Sequence, residues 1–160
     1  MFEWLGEHDD EAFFLFLHTN TIGGPHWGER YTEGLKPGSD EYRIAQYDAG
    51  IYRADNLVGK LFGQLRKAHI LYESMIIVTS AQGEELGEGQ PRIDQEPILV
   101  PLLIKLPGQQ LRDHPLIVSG HAGLIDILPT ILDYVDISAP RRVHGTTLLP
   151  RLTQDGPAGE

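Results

Sequence analysis

The sequence predicts an α/β domain, a layered β-sheet with flanking helices. Three observations predict it. Phe13-Phe14-Leu15-Phe16-Leu17 is a wholly apolar run, and Met75-Ile76-Ile77-Val78-Thr79 is a second one. Between them lies a long stretch whose apolar residues recur at three- and four-residue steps. With a third apolar run at residues 98–104 and a helical pattern at residues 124–135, the order is strand, helix, strand, strand, helix, which builds a layered sheet. In such sheets ligands bind beyond the C-terminal ends of the strands.

Each element follows from its residues. A short run with no polar member, such as residues 13–17, is the pattern of a strand buried on both faces, the type found inside parallel sheets. Residues 20–39 are rich in Gly, Pro and polar groups and form a long loop, often a functional one in a compact domain. Ser39 or Asp40 caps the next helix. Ile44, Tyr47, Ile51, Ala54, Val58, Leu61 and Leu65 then line one face of a helix ending near Lys67. Arg66, Lys67 and His69 fall in or near its last turn, where the helix dipole favours cations.

The second strand empties into a Gly-rich polar loop at residues 80–90. Pro101 gives the third strand an edge or a bulge. In the last helical pattern, Pro129 marks a start or a kink. Residues 153–160 are expected to be a disordered tail.

Composition bounds the function. The chain has 160 residues, 41% hydrophobic and 22% charged, which suits one domain with its own core. A formal charge of −10 argues against nucleic-acid binding, which needs clustered Lys and Arg. There is no cysteine, hence no disulfide or thiolate metal site. No apolar run approaches the roughly 20 residues that span a bilayer. The start, Met1-Phe2-Glu3-Trp4, has no basic region of a signal peptide, so a cytoplasmic location is the default expectation.

Six segments, in order, resemble the sulfatase family of the alkaline-phosphatase superfamily. They are residues 13–19 followed by Pro25-His26; Tyr47-Asp48-Ala49-Gly50-Ile51 with Asp55; Ile76-Ile77-Val78-Thr79-Ser80 with Gly83-Glu84-Glu85-Leu86-Gly87-Glu88; residues 100–108; residues 125–132; and Gly145-Thr146-Thr147-Leu148-Leu149-Pro150. The resemblance implies a partial alkaline-phosphatase-like layered sheet, with residues 1–152 as the C-terminal part of a sulfatase-like domain.

It also implies which groups to look for. Sulfate-ester hydrolysis needs a nucleophile, a divalent cation and groups that neutralise the sulfate oxygens. In the family the nucleophile is a formylglycine made within a C/S-x-P-x-R motif in the N-terminal half, which this chain is expected to lack. Ser138-Ala139-Pro140-Arg141-Arg142 fits that motif literally, but it follows the last helix, far from the family's position, and is a Pro-bearing connection with two solvated arginines. The family's cation, typically calcium, takes ligands from an S-D-H-G-E or A-D-N-G turn. Here the turn reads Ser80-Ala81-Gln82-Gly83-Glu84. Ala81 has no ligand atom, and a carboxamide at Gln82 replaces a charged or imidazole donor poorly at a hard cation. Glu84 is left as a weak ligand, so no cofactor is expected in this chain.

His26 matches the family's substrate-facing histidine, His18 orients the same loop, and Arg92 stands near the position of a basic residue that binds sulfate. A backbone-bonded loop histidine is an equally good reading of His18 and His26. His121 is structural, and Asp48 and Asp55 cap the long helix or pair with Arg43 and Arg53. The expectation is a sulfatase-lineage domain without turnover of its own. The alternatives are an anion-binding domain for a sulfate-like ion, or a subunit completed by a complementary N-terminal sulfatase chain or by its own copy.

Overall fold

The computed structural model describes residues 2–8, 11–20, 29–83, 98–109 and 117–153. It forms two compact units, Met1–Gln110 and Leu111–Glu160.

The first unit is organised by one long helix. Helices α1 (Phe2–Glu7) and α2 (Glu29–Thr32) both pack against α3 (Asp40–Lys67). Ser39 caps α3 as expected, its Oγ accepting the Tyr42 N–H at 3.3 Å. Asp40 and Glu41 in the first turn and Arg66 and Lys67 in the last complement the dipole. The helix ends in a Schellman motif built without glycine. His69 turns left-handed at φ 62°, its N–H bonds the Arg66 carbonyl at 3.1 Å, and the Ile70 N–H bonds the Leu65 carbonyl at 3.0 Å. Ile70 thereby folds back onto Leu65, and the core forms there: Leu5, Leu65 and Leu71, flanked by Phe13, Leu61, Phe62, Ile70 and Ile76.

The apolar face of α3 is covered only in part. Leu65 is buried and Leu61 packs on the core, but Ile44 and Ile51 are exposed, while Ala49 and Gly50 are the buried residues of the N-terminal half. Arg43 pairs with Asp40 one turn back; Asp48 and Asp55 are exposed.

Two strands follow. β1 (Ile76–Thr79) and β2 (Leu102–Lys105) pair antiparallel, with Ile76 opposite Lys105 and Thr79 opposite Leu102. The third apolar run therefore forms a strand only after Pro101, which has no N–H to give to a ladder. Lys105 ties the start of β1 to the end of β2. Its Nζ donates to the carbonyls of Tyr72 (3.3 Å), Ser74 (3.0 Å) and Leu106 (3.2 Å), and its partial burial holds the ammonium pKa below the usual lysine value.

Residues 13–17 differ from expectation. They form no strand, and Phe14 and Phe16 are 76% and 78% exposed. A strand buried on both faces needs neighbours on both edges, and β1 and β2 pair only with each other among the described residues. Only Phe13 reaches the core, edge-on to Trp4 with ring centroids 5.4 Å apart.

The second unit is held by side chains that reach between loops. A 3₁₀ turn (Leu124–Asp126) leads into α4 (Ile127–Tyr134), and α5 (Leu149–Leu152) packs on α4. Pro129 is the third residue of α4, within the first turn, where a missing N–H costs little helical bonding, and the helix begins two residues before it. The helix ends in a second Schellman motif: Asp136 is left-handed at φ 55°, its N–H meets the Asp133 carbonyl at 3.2 Å, and the Ile137 N–H meets Leu132 at 2.8 Å. Asp126 joins two loops, one carboxylate oxygen accepting the Gly123 N–H and the other the Thr146 N–H, both at 2.8 Å. Thr130, fully buried, donates to the Asp126 carbonyl at 2.6 Å and accepts the Leu148 N–H at 2.9 Å. Gly145 must be glycine: its φ is +95°, and a Cβ there would lie 2.4 Å from the Ile125 carbonyl oxygen.

No helix among the described residues is long and apolar enough to cross a membrane. The expected tail falls largely outside the described residues, which end at residue 153.

Candidate functional site

The loop that the sequence singles out leaves the C-terminal end of β1. Its described part is residues 80–83, and the two hydroxyls nearest the strand end are already engaged. Thr79 Oγ1 donates to the Pro101 carbonyl at 2.8 Å, which closes the end of the strand pair. Ser80 Oγ donates to the Gln82 carbonyl at 2.5 Å, so the turn folds onto itself. Ala81 and Gln82 are both exposed. The second position after the strand thus presents a methyl group, and the third presents a neutral amide with ready access to water.

Residues 79–83 include no carboxylate. Hard cations take carboxylate and carbonyl oxygens from several directions at once. Here the Gln82 carbonyl already accepts from Ser80, and Ala81 has no side-chain donor atom. Among the described residues there is no group of three or more His, Cys, Asp or Glu side chains that could hold a metal ion. Glu84, the weak ligand suggested by the sequence, lies outside the described residues, as do His26 and Arg92.

His18 is described and is exposed at the end of the apolar run. Among the described residues, no hydrogen bond or ion pair links it to Ser80, Ala81 or Gln82. The His121 backbone carbonyl accepts from Arg151 Nη1 at 2.8 Å, a contact that does not involve the imidazole. Ser138 to Arg142 form an exposed connection after α4, closed by the Val143 N–H on the Pro140 carbonyl at 3.0 Å. That is a solvated turn, as its sequence suggests.

The residue the sequence undersold is Asp126. Its carboxyl pKa is pulled below the usual range, first by the Thr146 N–H and then by the Gly123 N–H, with Arg151 adding to them against an opposing burial effect. Its two loop partners lie three residues before it and twenty after it. No periodicity connects positions so far apart, although Gly145-Thr146 stands out as a turn signal.

The family model for Sulfatase matches residues 1–137. The chain belongs to the sulfatase family. A multifunctional alkaline phosphatase superfamily protein, PehA of Trinickia caryophylli, is 32% identical over 137 residues, covering 83% of this chain and 26% of that protein. Arylsulfatase K of Bos taurus is 34% identical over 110 residues, covering 66% of this chain and 20% of its own length. In structure, the sulfatase chain is similar to the phosphonate monoester hydrolase SpPMH from Silicibacter pomeroyi, with a TM-score of 0.65 and 29% identity over 81% of this chain and 26% of that one. The α/β, alkaline-phosphatase-like fold is therefore the fold of this chain. The chain spans about a quarter or less of the length of these relatives.

Proposed function

We propose that this chain is a sulfatase-family domain that does not bind a divalent cation at the end of β1 and does not hydrolyse sulfate esters by itself. One observation carries the reading. Where the family resemblance calls for charged or imidazole ligands, the chain offers Ala81 and Gln82, and the nearest hydroxyl, Ser80 Oγ, is spent within the turn. Without a cation, the negative charge that develops on sulfate in the transition state lacks its strongest stabiliser, a loss of several kcal/mol in barrier terms.

The proposal concerns this turn and holds whatever polypeptide accompanies it. Calorimetric titration with calcium, magnesium and manganese tests it directly. No binding tighter than millimolar is expected. Micromolar binding that disappears in Glu84→Ala would overturn the reading, because acidic neighbours would then be filling the cation's shell. Hydrolysis of an aryl sulfate by the same preparation is expected to equal the buffer rate.

A further inference from the structure

The chain that follows α4 is fastened back onto the segment around the start of that helix at four places. Gly145 lies against the Ile125 carbonyl, so close that a Cβ would come within 2.4 Å of the oxygen. The Thr146 N–H donates to Asp126 Oδ1, and two residues later the Leu148 N–H donates to the buried Thr130 Oγ1. Arg151 then reaches back. Its Nη1 donates to the His121 carbonyl at 2.8 Å and lies against Gly120, where a Cβ would come within 3.1 Å of it. Two of these fastenings are reciprocal: Asp126 reaches forward to the backbone of the later segment, and Arg151 reaches back to the backbone of the earlier one. Asp126 also accepts the Gly123 N–H, so one carboxylate spans both segments.

We propose that residues 145–152, α5 included, are a strap that opens and closes on α4 as one unit, latched by Asp126 and Arg151, while the helix itself stays folded. This concerns the second unit alone and is independent of the cation reading. Gly145 and Leu148 are separated by at most about 11 Å of chain, so moving one contact by more than a hydrogen-bond length pulls on the others. That ties the contacts into one event. Of the strap's side chains only that of Leu148 is buried, and segments with little buried apolar surface are the ones that open locally. The helix does not depend on the strap for its end, which its own bonds close: the Val135 N–H on the Ile131 carbonyl at 3.1 Å and the Ile137 N–H on the Leu132 carbonyl at 2.8 Å. Between helix and strap lies a separate turn, the Val143 N–H on the Pro140 carbonyl at 3.0 Å, and then Gly145 at φ +95°. Such element-terminal positions absorb the backbone change of a hinge. Opening the strap uncovers the Asp126 carboxylate and the Thr130 hydroxyl.

Native-state hydrogen exchange of the full chain tests this, read at Gly123, Thr146 and Leu148 for the strap and at Ile131 and Leu132 for the body of α4. Corrected for intrinsic rates, Thr146 and Leu148 are expected to share one protection factor, with Ile131 and Leu132 protected at least about tenfold more. Asp126→Ala removes the bonds of Gly123 and Thr146, and Arg151→Met, at an exposed side chain, removes none of the bonds being read. Each is nevertheless expected to speed exchange at Leu148 by the same factor as at Thr146. That factor is roughly tenfold or more for Asp126→Ala and severalfold for Arg151→Met, with Ile131 and Leu132 unchanged. Arg151→Met decides the matter alone if Asp126→Ala does not fold. Acceleration at Thr146 with Leu148 unmoved would overturn the proposal, because the contacts would then be independent. So would equal acceleration at Ile131 and Leu132, because strap and helix would then open together.

Discussion

Replacing Thr130 by valine removes one atom's chemistry from the second unit while keeping its shape. Thr130 is fully buried, and its Oγ1 accepts the N–H of Leu148, itself buried, at 2.9 Å. The valine methyl cannot accept, so a buried donor is left unmade, at a cost of about 1–3 kcal/mol. The Asp126 carbonyl loses the threonine hydroxyl at 2.6 Å, but the helical N–H four residues on still reaches it, so that side of the change adds little. Thr130→Ser keeps the hydroxyl and loses a methyl group, about 1 kcal/mol. The expected order of stability is wild type, then serine, then valine. Native-state hydrogen exchange measures this locally. Valine at about 2 kcal/mol speeds exchange of the Leu148 amide roughly thirtyfold. Serine leaves the bond to that amide in place and costs only its methyl group. A valine variant as stable as wild type, or more stable than serine, would refute the argument, because the hydroxyl would then be carrying no part of the α4–α5 connection.

Three further outcomes follow from the same geometry. Gly145→Ala sets a Cβ 2.4 Å from the Ile125 carbonyl oxygen in a left-handed backbone; the conformation alone costs roughly 1–2 kcal/mol, and thermal unfolding of the variant is expected to show at least that loss. The Asp126 carboxyl is held below its ordinary 3.8 in the folded chain. Its contribution to stability is therefore present in full above the unfolded value and lost as pH falls through the folded one. Urea midpoints measured from pH 6 to pH 2 are expected to drop below about pH 4, and less steeply in Asp126→Asn. His69→Gly and Asp136→Gly relieve left-handed backbone at two helix ends; each is expected to raise the melting temperature, with a gain of about 0.5–1 kcal/mol after the added freedom of the unfolded glycine is deducted.

What the sequence makes legible is what short-range spacing determines. The long helix is readable because its apolar residues repeat from Ile44 to Leu65 and a serine stands before them; the structure begins it at Asp40 under Ser39 and ends it at Lys67, 28 residues in all. The polar turn after β1 is readable because Ser80, Gln82 and Gly83 end the apolar run, and the strand stops at Thr79. The positions of the helix stops are readable but their left-handed form is not, because Gly is the usual left-handed residue and His69 and Asp136 hold that place here. Nor is Asp126, whose partners become neighbours only once the loops have folded.

Residues 13–17 mark a different boundary. Their pattern is that of an internal strand, yet the described chain leaves Phe14 and Phe16 in water. An apolar pattern records what a segment buries in its complete fold, whereas burial records which neighbours are present. The two disagree again on α3, where Ile44 and Ile51 continue the predicted face but stay exposed, while Leu61 and Leu65 on the same face are covered. Here the periodicity persists where the cover ends, and it does so on two elements of one unit. On both elements the cover stops where packing on Leu5, Leu65 and Leu71 stops, at Phe13 on one and at Leu61 on the other.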